Sequence, residues 1–429
     1  MLIEDMLTAL PAYFPTCEGA YLVGGCVRDL LLGRPPADYD VAVLGAPRTY
    51  AQKLAAAAGG RIVEIGQPAF RLWRVVAPGR IIDVSAAAGA SIAVDLRHRD
   101  FTINALALDI TTGAIIDVTG GRQDLNAGTI RMVSAAAFQN DPVRLLRAFR
   151  LQARFGFSIE PGTLAAISRD GDRIGRPAGE RVREEFFKML GADRSAPALQ
   201  DMARTGLLTA LFPGLKHAGE NALERAVAAH QQLESLLCDL SACFPDTAEV
   251  LMRELTENRR ILLKCAAVLS HVPGIPAIAQ SLRLSRHDAA RLEGLIRHHA
   301  RALGILTSPR PSPREVTRFF RGAHAVLPDL LLNAAADLMA EPAAPARRSQ
   351  DFRSITAELL HTYSFAYTPR LQSPPPISGN DLIREFGLKP SALFKQILDS
   401  IEEERLLRSE LGRAEALEMV RAYLKNQGW

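Results

Sequence analysis

The first third of the chain alternates short apolar runs with Gly and Pro, a pattern typical of strands separated by turns. Between these runs the stretch Tyr50–Ala58 is predicted to be helical. Residues 20–135 are therefore predicted to have an α/β fold. The runs predict five strands: Ala20–Val23, Asp40–Leu44, Arg71–Val76, Arg80–Val84 and Ala114–Val118.

Helical periodicity replaces this pattern from Asp141 onward and continues along the rest of the chain. We therefore predict a domain change near residues 130–140, with an all-helical remainder. Three later segments rich in Pro are predicted to be linkers or sharp loops: Ser308–Pro313, Glu341–Ser349 and Ser373–Pro376. No internal repeat is visible, which argues against a solenoid.

The composition is that of an ordinary globular protein, with 429 residues, 48% of them apolar, and a formal charge of +4. This length allows about two to four domains. The N-terminus carries acid where a signal peptide needs base, and no apolar run approaches the ~18 residues of a membrane span. We therefore expect a cytoplasmic protein with no membrane partner. The five cysteines form no C-x-x-C pair, and we expect them to be small core residues.

The segment Leu22–Gly33 contains the first candidate for chemistry. An apolar strand runs into Gly24 and Gly25 and then into a helix that Gly33 can close. Backbone N–H groups at the start of such a helix can hold an anion, and the guanidinium of Arg28 suits a phosphate. On its own, the motif is weak evidence, and a plain strand–turn–helix is the default interpretation.

Three aspartates that follow this motif favour a functional interpretation of it. Asp38 and Asp40 are two residues apart in an extended segment, so both carboxylates lie on one face and can share a divalent metal. Asp83 is an acid in an apolar run that resembles a neighbouring strand, where an unpaired carboxylate would be costly. Singly, each could be a turn or cap residue. Together they predict a site for two Mg²⁺ ions and phosphoryl or nucleotidyl transfer.

Four motifs then follow one another in the order found in a known family. They are Gly-Gly-x-Val-Arg-Asp, Asp-x-Asp, the segment Arg99–Ala105 and the segment Asp141–Arg150. In these motifs the chain resembles the class II tRNA nucleotidyltransferases and bacterial poly(A) polymerases. The likeness continues at Glu180–Glu185 and Gly206–Pro213. It extends more weakly to Ile377–Ile383, which is similar to the tails of members with an HD-type body.

The resemblance implies a fold and a domain order. We expect an α/β nucleotidyltransferase head followed by an all-helical neck, body and tail. The head would span residues 1–135, and the neck, with base-reading and RNA-binding motifs, residues 136–215. A degenerate HD-like body would span residues 216–340 and the tail residues 341–429.

The resemblance also implies roles for individual residues. Asp38 and Asp40 would bind the metals, and Asp83 would ligate a metal or accept a proton. The residues implied to bind the nucleotide are Gly24, Gly25, Arg28, Arg99, Asn104, Asp141, Arg144, Arg147 and Arg150, of which Asp141 and Arg144 would read the Watson–Crick edge of the base. The residues implied to bind RNA are Arg154, Arg181 and Arg183.

The residues of the fourth motif can also be interpreted without the family. Four arginines share one helical stripe about 120° wide, and because like charges repel, the stripe favours a facing polyanion: Arg144, Arg147, Arg150 and Arg154. Asp141 before Pro142 is also the pattern of a helix N-cap followed by Pro at the first helical position. That local role would explain Asp141 without any ligand.

The chain departs from the family in three places. Ser270-His271 stands where relatives with an HD-type body often have a metal-binding His-Asp pair. A metal at His271 or His230 would lack an anionic anchor, so we expect no second metal site in the body. Asn140 and His98 replace an acid and an arginine common in relatives. Both changes leave the chemistry intact and the nucleotide preference open.

The function implied by the resemblance is template-independent nucleotide addition to an RNA 3′ end, above all the CCA end of tRNA. The substrates would be CTP and/or ATP with Mg²⁺, and no DNA partner is expected. Poly(A) polymerase is the nearest alternative. An inactive RNA-binding module is an alternative of another class, but it would have lost at least one of the three carboxylates. The missing His-Asp pair disfavours a phosphohydrolase in the body.

The stretch between Asp83 and Arg99 bears on which nucleotides are added. CCA-adding relatives usually carry a longer, Arg-bearing flexible loop here, whose movement accompanies the change from C to A. In this chain Ser85–Ser91 contains small residues without a cation. Such a loop offers no side chain to rearrange a base pocket. We therefore predict restricted specificity, such as CC addition, with a partner enzyme completing the end.

Overall fold

A seven-stranded mixed sheet occupies the first part of the chain in the computed structural model, which describes residues 14–66, 71–219, 221–341, 346–408 and 410–426. The strand order is β3-β4-β5-β2-β1-β6-β7, and β2 and β5 are parallel neighbours. The strands are β1 (Ala20–Val23), β2 (Tyr39–Val43), β3 (Arg61–Ile65), β4 (Leu72–Ala77), β5 (Arg80–Ala86), β6 (Leu106–Asp109) and β7 (Ile115–Asp117).

The five predicted strands are all confirmed to within two residues at each end, whereas β3 and β6 were not predicted. Strand β3 is largely exposed, so it lacks the apolar alternation that marks a half-buried strand. Strand β6 pairs with β1 and β7, and its first three residues are buried. A short apolar run of this kind cannot be told from a buried helix segment by periodicity.

Helices pack against both faces of the sheet and continue beyond it. Side chains from β1, β2 and the first two helices form one buried cluster that includes Leu22, Val41, Tyr50 and Leu54. The helices of this part are α1 (Gly25–Leu31), α2 (Pro47–Ala58), α3 (Ile92–Arg97), α4 (Gly121–Asn126), α5 (Ala137–Asn140), α6 (Arg144–Phe155), α7 (Pro161–Asp170), α8 (Gly179–Leu190), α9 (Ala196–Arg204) and α10 (Leu207–Leu211).

The prediction of an all-helical chain after Asp141 is wrong at one point. Ser158–Ile159 forms a short strand, β9, that pairs in parallel with β8 (Thr129–Ile130). The two-residue strand follows Gly156, whose left-handed backbone ends α6. Such a short pairing leaves no periodic signal in the sequence.

Contacts group the chain into two compact units, Met1–Leu211 and Phe212–Trp429. The predicted boundaries at residues 135, 215 and 340 stay predictions. The second unit is helical in its described residues, with α11 (Ala222–Cys238), α12 (Leu240–Cys243), α13 (Ala248–Glu254), α14 (Glu257–Leu269), α15 (Ile275–Ser281), α16 (Arg286–Thr307), α17 (Pro313–Ala323), α18 (Asp329–Met339), α19 (Ala346–His361), α20 (Thr368–Gln372), α21 (Gly379–Phe386), α22 (Ala392–Leu407) and α23 (Arg413–Asn426).

Two of the three predicted linkers are loops in the structure. Ser308–Pro313 separates α16 from α17, and Ser373–Pro376 lies between α20 and α21. The prediction for Glu341–Ser349 is wrong from Ala346, where α19 begins, and residues 342–345 lie outside the described residues. Ser312 caps α17 in a reciprocal capping box with Glu315, which explains why that loop ends sharply.

Helix α18 lies at the centre of the second unit and is buried along its whole length. Its two acids are neutralised by arginines from neighbouring helices, and Asp329 accepts bonds of 2.6 Å from both Arg259 and Arg291. Buried carboxylates need such partners. No helix among the described residues is long and apolar enough to cross a membrane.

The cysteine expectation is only partly right. Cys26 and Cys265 are buried, and burial raises the pKa of the Cys26 thiol to about 11. Cys238, at the end of α11, is exposed instead. Cys238 is exposed because it lies at a helix end. The spacing of cysteines in the sequence does not reveal such a position.

Replacing Gly121 by Ala should destabilise the first unit. A Cβ on Gly121 would lie 2.1 Å from the carbonyl oxygen of Thr102, so the backbone would have to shift. Overpacking of this kind costs roughly 1–3 kcal/mol of unfolding free energy. Urea denaturation measures the change. Gly175→Ala is the matched control in the same unit, because no heavy atom lies within 4 Å of its added Cβ. Equal midpoints for the two variants would contradict the packing argument.

Candidate active site

The predicted carboxylates meet at the centre of the sheet. Asp40 on β2 is the register partner of Asp83 on β5, and Asp38 lies in the bend that leads into β2. Because β2 and β5 are parallel, register partners project side chains on the same face of the sheet. The structure therefore brings the three predicted acids to one place.

The electrostatics of Asp40 show that this group of acids favours a cation. Although Asp40 is exposed, desolvation by the surrounding protein raises its pKa, and repulsion from Asp83 and Asp38 acts in the same direction. Arg99 and Arg74 lower it. Carboxylates that disfavour one another's charge are relieved by a bound metal, so the donor set fits a divalent ion.

Asp83 differs from the other two acids because an arginine holds it. Arg74 on β4 donates from Nε to Oδ1 and from Nη2 to Oδ2, both at 2.8 Å. Both carboxylate oxygens are therefore engaged by one guanidinium in a two-pronged bond. This arrangement does not support the expectation that Asp83 ligates a metal or accepts a proton.

The glycine turn lies beside these acids and is shaped for an arginine. Gly24 has a φ of 78°, a conformation that favours glycine. A Cβ there would lie 2.7 Å from Nη1 of Arg99, so glycine also allows the close approach of that guanidinium. Arg99 is held by Asp95 on α3, at 3.0 Å from Nε and 2.9 Å from Nη2 to the same oxygen. The structure thus brings Gly24, Arg99 and Asp40 together, as the sequence predicted.

Arg28 does not present a free fork to a phosphate. It is 4% exposed, donates to the carboxylate of Asp29 through Nε and Nη2 and donates to Oδ1 of Asn104 through Nη1. Its guanidinium also lies 4.6 Å from the ring centroid of Phe155, within the range of a cation–π contact. In the structure, Arg28 and Asn104 are hydrogen-bonded to each other on the buried side of the turn.

The arginine stripe on α6 faces carboxylates of the protein. Arg147 donates to Asp100 at 2.9 Å and pairs with Glu185 on α8, which also pairs with Arg150 at 3.1 Å. The like-charge repulsion that favoured a polyanion is therefore neutralised internally. A sequence shows the arginines on one helix together, whereas their acids come from other elements.

Asp100 links this stripe to the glycine turn. Burial acts to raise its pKa, but the ion pair with Arg147 and hydrogen bonds from Asn104 and the Phe101 amide outweigh burial and lower it. Asp29 is shared in the same way, because Arg154 donates to its Oδ2 at 3.1 Å while Arg28 binds its Oδ1. Through Arg28 and Arg154, Asp29 joins α1 to α6.

Arg144 and Asp141, the predicted base readers, lie at the start of α6. Arg144 donates from its two terminal nitrogens to the backbone carbonyls of His98, Arg99 and Ala137. Its Nε is buried and has no hydrogen-bond partner among the described residues. An unsatisfied buried donor is costly to the fold. Nη2, which makes one of these bonds, keeps a second N–H.

Asp141 is engaged twice by neighbours. One oxygen accepts from the amide of Val143 at 3.3 Å, and the other binds Arg181 at 2.8 Å. The regular helix begins at Arg144. Asp141 has an extended backbone, and its carbonyl accepts from the amide of Arg144 at 3.1 Å, so together with the Val143 contact the N-cap interpretation of Asp141 is confirmed. Arg183, predicted to contact RNA with Arg181, is half-buried on α8.

The stretch predicted to control nucleotide choice is short and tethered. Strand β5 ends at Ala86 and α3 begins at Ile92. In between, the amide of Ala88 donates to Oδ1 of Asp95 at 2.8 Å. The same carboxylate holds Arg99 with its other oxygen, so the loop and the arginine share one anchor.

Sequence reasoning missed the residues that hold the site together. They are charged partners of predicted residues: Asp29, Arg74, Asp95, Asp100 and Glu185. Asp29 and Asp100 lie inside the quoted motifs, and Asp95 is four residues before Arg99, the spacing of a helical ion pair. For Arg74 the signal was an arginine in the middle of a predicted strand next to the strand of Asp83.

A second cluster of titratable groups lies in the second unit, where no metal was expected. His271 and His299 each place Nε2 within 2.9 Å of Oδ2 of Asp337, and the three ligand atoms lie within 4.8 Å of one another. The missing acid is thus supplied by α18, and His230 lies elsewhere, near Lys264 and Glu234. Arg225 donates to both oxygens of Asp337 and neutralises it without an ion. The absence of a metal here stays a prediction.

Family models match two parts of the chain. One, described as the head domain of poly(A) polymerase, matches residues 20–87 and 65–131. The other, described as a probable RNA- and SrmB-binding site of polymerase A, matches residues 156–218. The first covers the sheet with its carboxylates, and the second covers the helices that supply Glu185.

Curated relatives match over longer stretches. A CC-adding tRNA nucleotidyltransferase of Geobacter sulfurreducens is 36% identical over 310 residues, covering 70% of this chain and 71% of the relative. An A-adding tRNA nucleotidyltransferase of Deinococcus radiodurans is 30% identical, covering 94% of this chain and 95% of the relative. A solved CCA-adding enzyme with ATP superposes with a TM-score of 0.73 at 23% identity, covering 99% of this chain and 94% of that one, which shows a shared fold.

Replacing Glu185 by Gln should destabilise the first unit strongly. The variant leaves the guanidinium groups of Arg147 and Arg150 without their shared acid, and breaking a buried pair in this way costs about 3 kcal/mol or more. Urea denaturation of this variant and of a control variant measures the change in unfolding free energy. Glu184→Gln is the matched control, because Glu184 is 61% exposed and pairs only with the exposed Lys188, so it should cost less than about 1 kcal/mol. Similar losses in the two variants would show that the internal pairing is not what stabilises α6 against α8.

Proposed function

Since this chain belongs to the family of class II tRNA nucleotidyltransferases and bacterial poly(A) polymerases, we propose that it adds cytidine nucleotides to the 3′ end of tRNA. The membership makes it an enzyme, a nucleotidyltransferase that works on RNA without a nucleic-acid template. The observation that carries the specific proposal is the meeting of Asp38 and Asp40 with Arg99 at a glycine turn. This places metal-binding acids beside a fixed guanidinium, the two features that transfer of a nucleotide from a triphosphate requires.

Enzymes of this family depend on a divalent metal, and we propose that Asp38 and Asp40 hold Mg²⁺. The raised pKa of Asp40 and its repulsion by neighbouring acids support this, because oxygen donors with excess negative charge suit a hard cation. When bound, the metal lowers the pKa of the RNA 3′-hydroxyl and neutralises charge on the departing pyrophosphate. Asp38 and Asp40 fix its position.

The protein groups proposed to bind the triphosphate lie around the same turn. The amide of Gly25 lies at the start of helix α1, whereas that of Gly24 donates to the carbonyl of Leu106 at 3.0 Å, and Arg99 lies close to Gly24. Arg28 and Asn104 support this turn from the buried side rather than donating freely to a ligand. Rigid donors of this kind stabilise the growing charge on the phosphates without reorganising.

We propose that Arg144 and Asp141 select the base. Backbone carbonyls fix the guanidinium of Arg144, and its Nη2 makes one of these bonds and keeps a second N–H for a base. Each oxygen of the Asp141 carboxylate accepts one hydrogen bond within the protein. Further lone pairs remain to accept from an exocyclic amine. Cytosine and adenine both offer an exocyclic amine beside a ring acceptor, which matches this pair of groups, so the choice between them depends on the shape of the pocket. Arg147 and Arg150 keep α6 in place through Glu185.

RNA would contact the helices that follow. A cavity of ≈ 410 Å³ is lined by side chains from α5, α7 and the turn after α7: Gln139, Arg169, Asp170, Asp172, Arg173 and Arg176. Asp170 is buried and accepts from Arg169 at 2.7 Å and Arg173 at 2.9 Å, so both guanidinium groups are fixed. Fixed arginines suit phosphate contacts. Arg154, Arg181 and Arg183 stay predicted RNA contacts, although Arg154 and Arg181 are also paired with Asp29 and Asp141.

Restriction to CC addition is favoured by the loop before α3. A movable loop would be needed to turn a pocket for C into a pocket for A, and this loop is short, carries no cation and is bonded to Asp95. The CC-adding relative from Geobacter sulfurreducens, at 36% identity, is consistent with the same choice. Poly(A) polymerase activity, the nearest alternative, requires a pocket for A from the start. Location in the cytoplasm stays a prediction.

Asp38→Asn and Asp40→Asn should each lower the rate of CTP incorporation by on the order of a thousandfold, because a metal contributes several kcal/mol to transition-state stabilisation. Neither should unfold the protein. In EDTA at neutral pH, Asp40→Asn should raise the unfolding midpoint, since the raised pKa means that the ionised acid destabilises the fold. Glu64→Gln, an exposed acid on β3, is the control and should leave the rate unchanged. A folded double variant with near-normal turnover would disprove the site.

A tRNA lacking its last three nucleotides, given CTP and ATP together, should be extended by two nucleotides and no further. The reason is that the pocket of Arg144 and Asp141 has no movable loop to refit it for A. Sequencing gels resolve the product, and a tRNA ending in CC with ATP alone should stay unextended. A CCA-adding enzyme run in parallel controls for the RNA. A complete CCA end would contradict the restriction, and long A tails on unstructured RNA would favour poly(A) polymerase.

A further inference from the structure

Arg74, Asp83 and Asp40 form a row across three adjacent strands. Arg74 on β4 is the register partner of Asp83 on β5, and Asp83 is the register partner of Asp40 on β2. Register partners on neighbouring strands lie side by side on one face of the sheet. The guanidinium therefore lies on the same face as the metal-binding acids.

The two-pronged bond to Asp83 fixes this guanidinium in place. It uses Nε and Nη2 of Arg74, each at 2.8 Å. The Nη1 group has no hydrogen-bond partner among the described residues, and the Arg74 side chain is 40% exposed. Its donors are thus oriented by the protein and open to a ligand.

The charges around Arg74 place it at the active site. Its pKa is raised first by the bond to Asp83 and also by the charges of Asp38 and Asp40. Arg99, which is held by one oxygen of Asp95, also acts on the charge of Asp40. Two arginines, each fixed by an aspartate of its own, therefore lie near the metal-binding acids.

We propose that Arg74 contacts the phosphates of the incoming nucleotide and that Asp83 is a positioning residue for Arg74 and not a metal ligand. This inference rests on the proposed function. A triphosphate carries more negative charge than a metal and Arg99 neutralise, and Arg74 is a second oriented cation within reach of the same acids. Arg74 engages one lone pair on each oxygen of Asp83 and fixes the orientation of the carboxylate, so Asp83 already has a charge partner without a metal.

A double-mutant cycle tests this assignment with Arg74→Ala, Asp83→Asn and the pair together. The measurements are KM and kcat for CTP, and Mn²⁺ affinity by electron paramagnetic resonance without nucleotide. Arg74→Ala should raise KM about tenfold or more, the scale of a lost charged hydrogen bond. Asp83→Asn should raise KM similarly, and the double variant should be no worse than Arg74→Ala alone, because one interaction is removed. Arg74→Lys should recover part of the loss.

The metal measurement separates the two roles of Asp83. Mn²⁺ affinity should be unchanged in all three variants, whereas it should fall in Asp40→Asn. Arg71→Ala is the matched control, because Arg71 is 39% exposed and pairs with Glu64 in the same hairpin, and it should leave KM unchanged. Thermal unfolding shows whether any variant is merely damaged.

Three results would overturn the inference. Weaker Mn²⁺ binding in Asp83→Asn alone would make Asp83 a metal ligand. Additive effects on KM would mean that the two residues act independently, and an unchanged KM in Arg74→Ala would leave the pair a structural one. If the wild-type chain incorporates no nucleotide, the proposed function fails. Calorimetric binding of CTP to the same variants would then still decide whether Arg74 contacts phosphate.

Discussion

Buried charges must be paired, and this requirement organises the whole candidate site. A series of bonds starts at Asp29 and Arg28 on α1, passes through Asn104 and Asp100 and ends at Arg147 and Glu185. Each group is low in exposure, so removing one member leaves another charge buried without a partner. The series joins the glycine turn to the helix that begins with Arg144. Phosphate binding and base selection therefore depend on the same set of ion pairs.

Pairing also explains why the site can be rigid without being neutral. Arg99 and Arg74 both lie beside Asp40, and each is oriented by an aspartate that does not face the ligand in the proposed mechanism. A guanidinium held at two points keeps its remaining donors in fixed directions. A polar group that is oriented before substrate binds stabilises developing charge without further reorganisation. Such a site needs no template to position the nucleotide.

Sequence reasoning predicted the parts of this site that are local and missed those that are distant. The sheet strands, the turn at Gly24 and the pair Asp38 and Asp40 each depend on a few adjacent residues. By contrast, Arg154 and Asp29 are 125 residues apart, and Arg147 and Asp100 are 47 apart. No periodicity reports such contacts. For the same reason the sequence did not predict the acidic partner of His271. That acid, Asp337, lies on α18 and is not the residue next to His271.

The anchor at Asp95 connects nucleotide choice with phosphate binding. One oxygen of Asp95 holds the loop through the amide of Ala88, and the other holds Arg99. A loop movement large enough to reshape the base pocket would pull on α3 and disturb the arginine that lies over Gly24. In the proposed CC addition both steps use C, so they would require no such movement. Addition of A would have to refit the pocket at the expense of the contact proposed to hold the triphosphate, and this coupling gives a physical reason for excluding A.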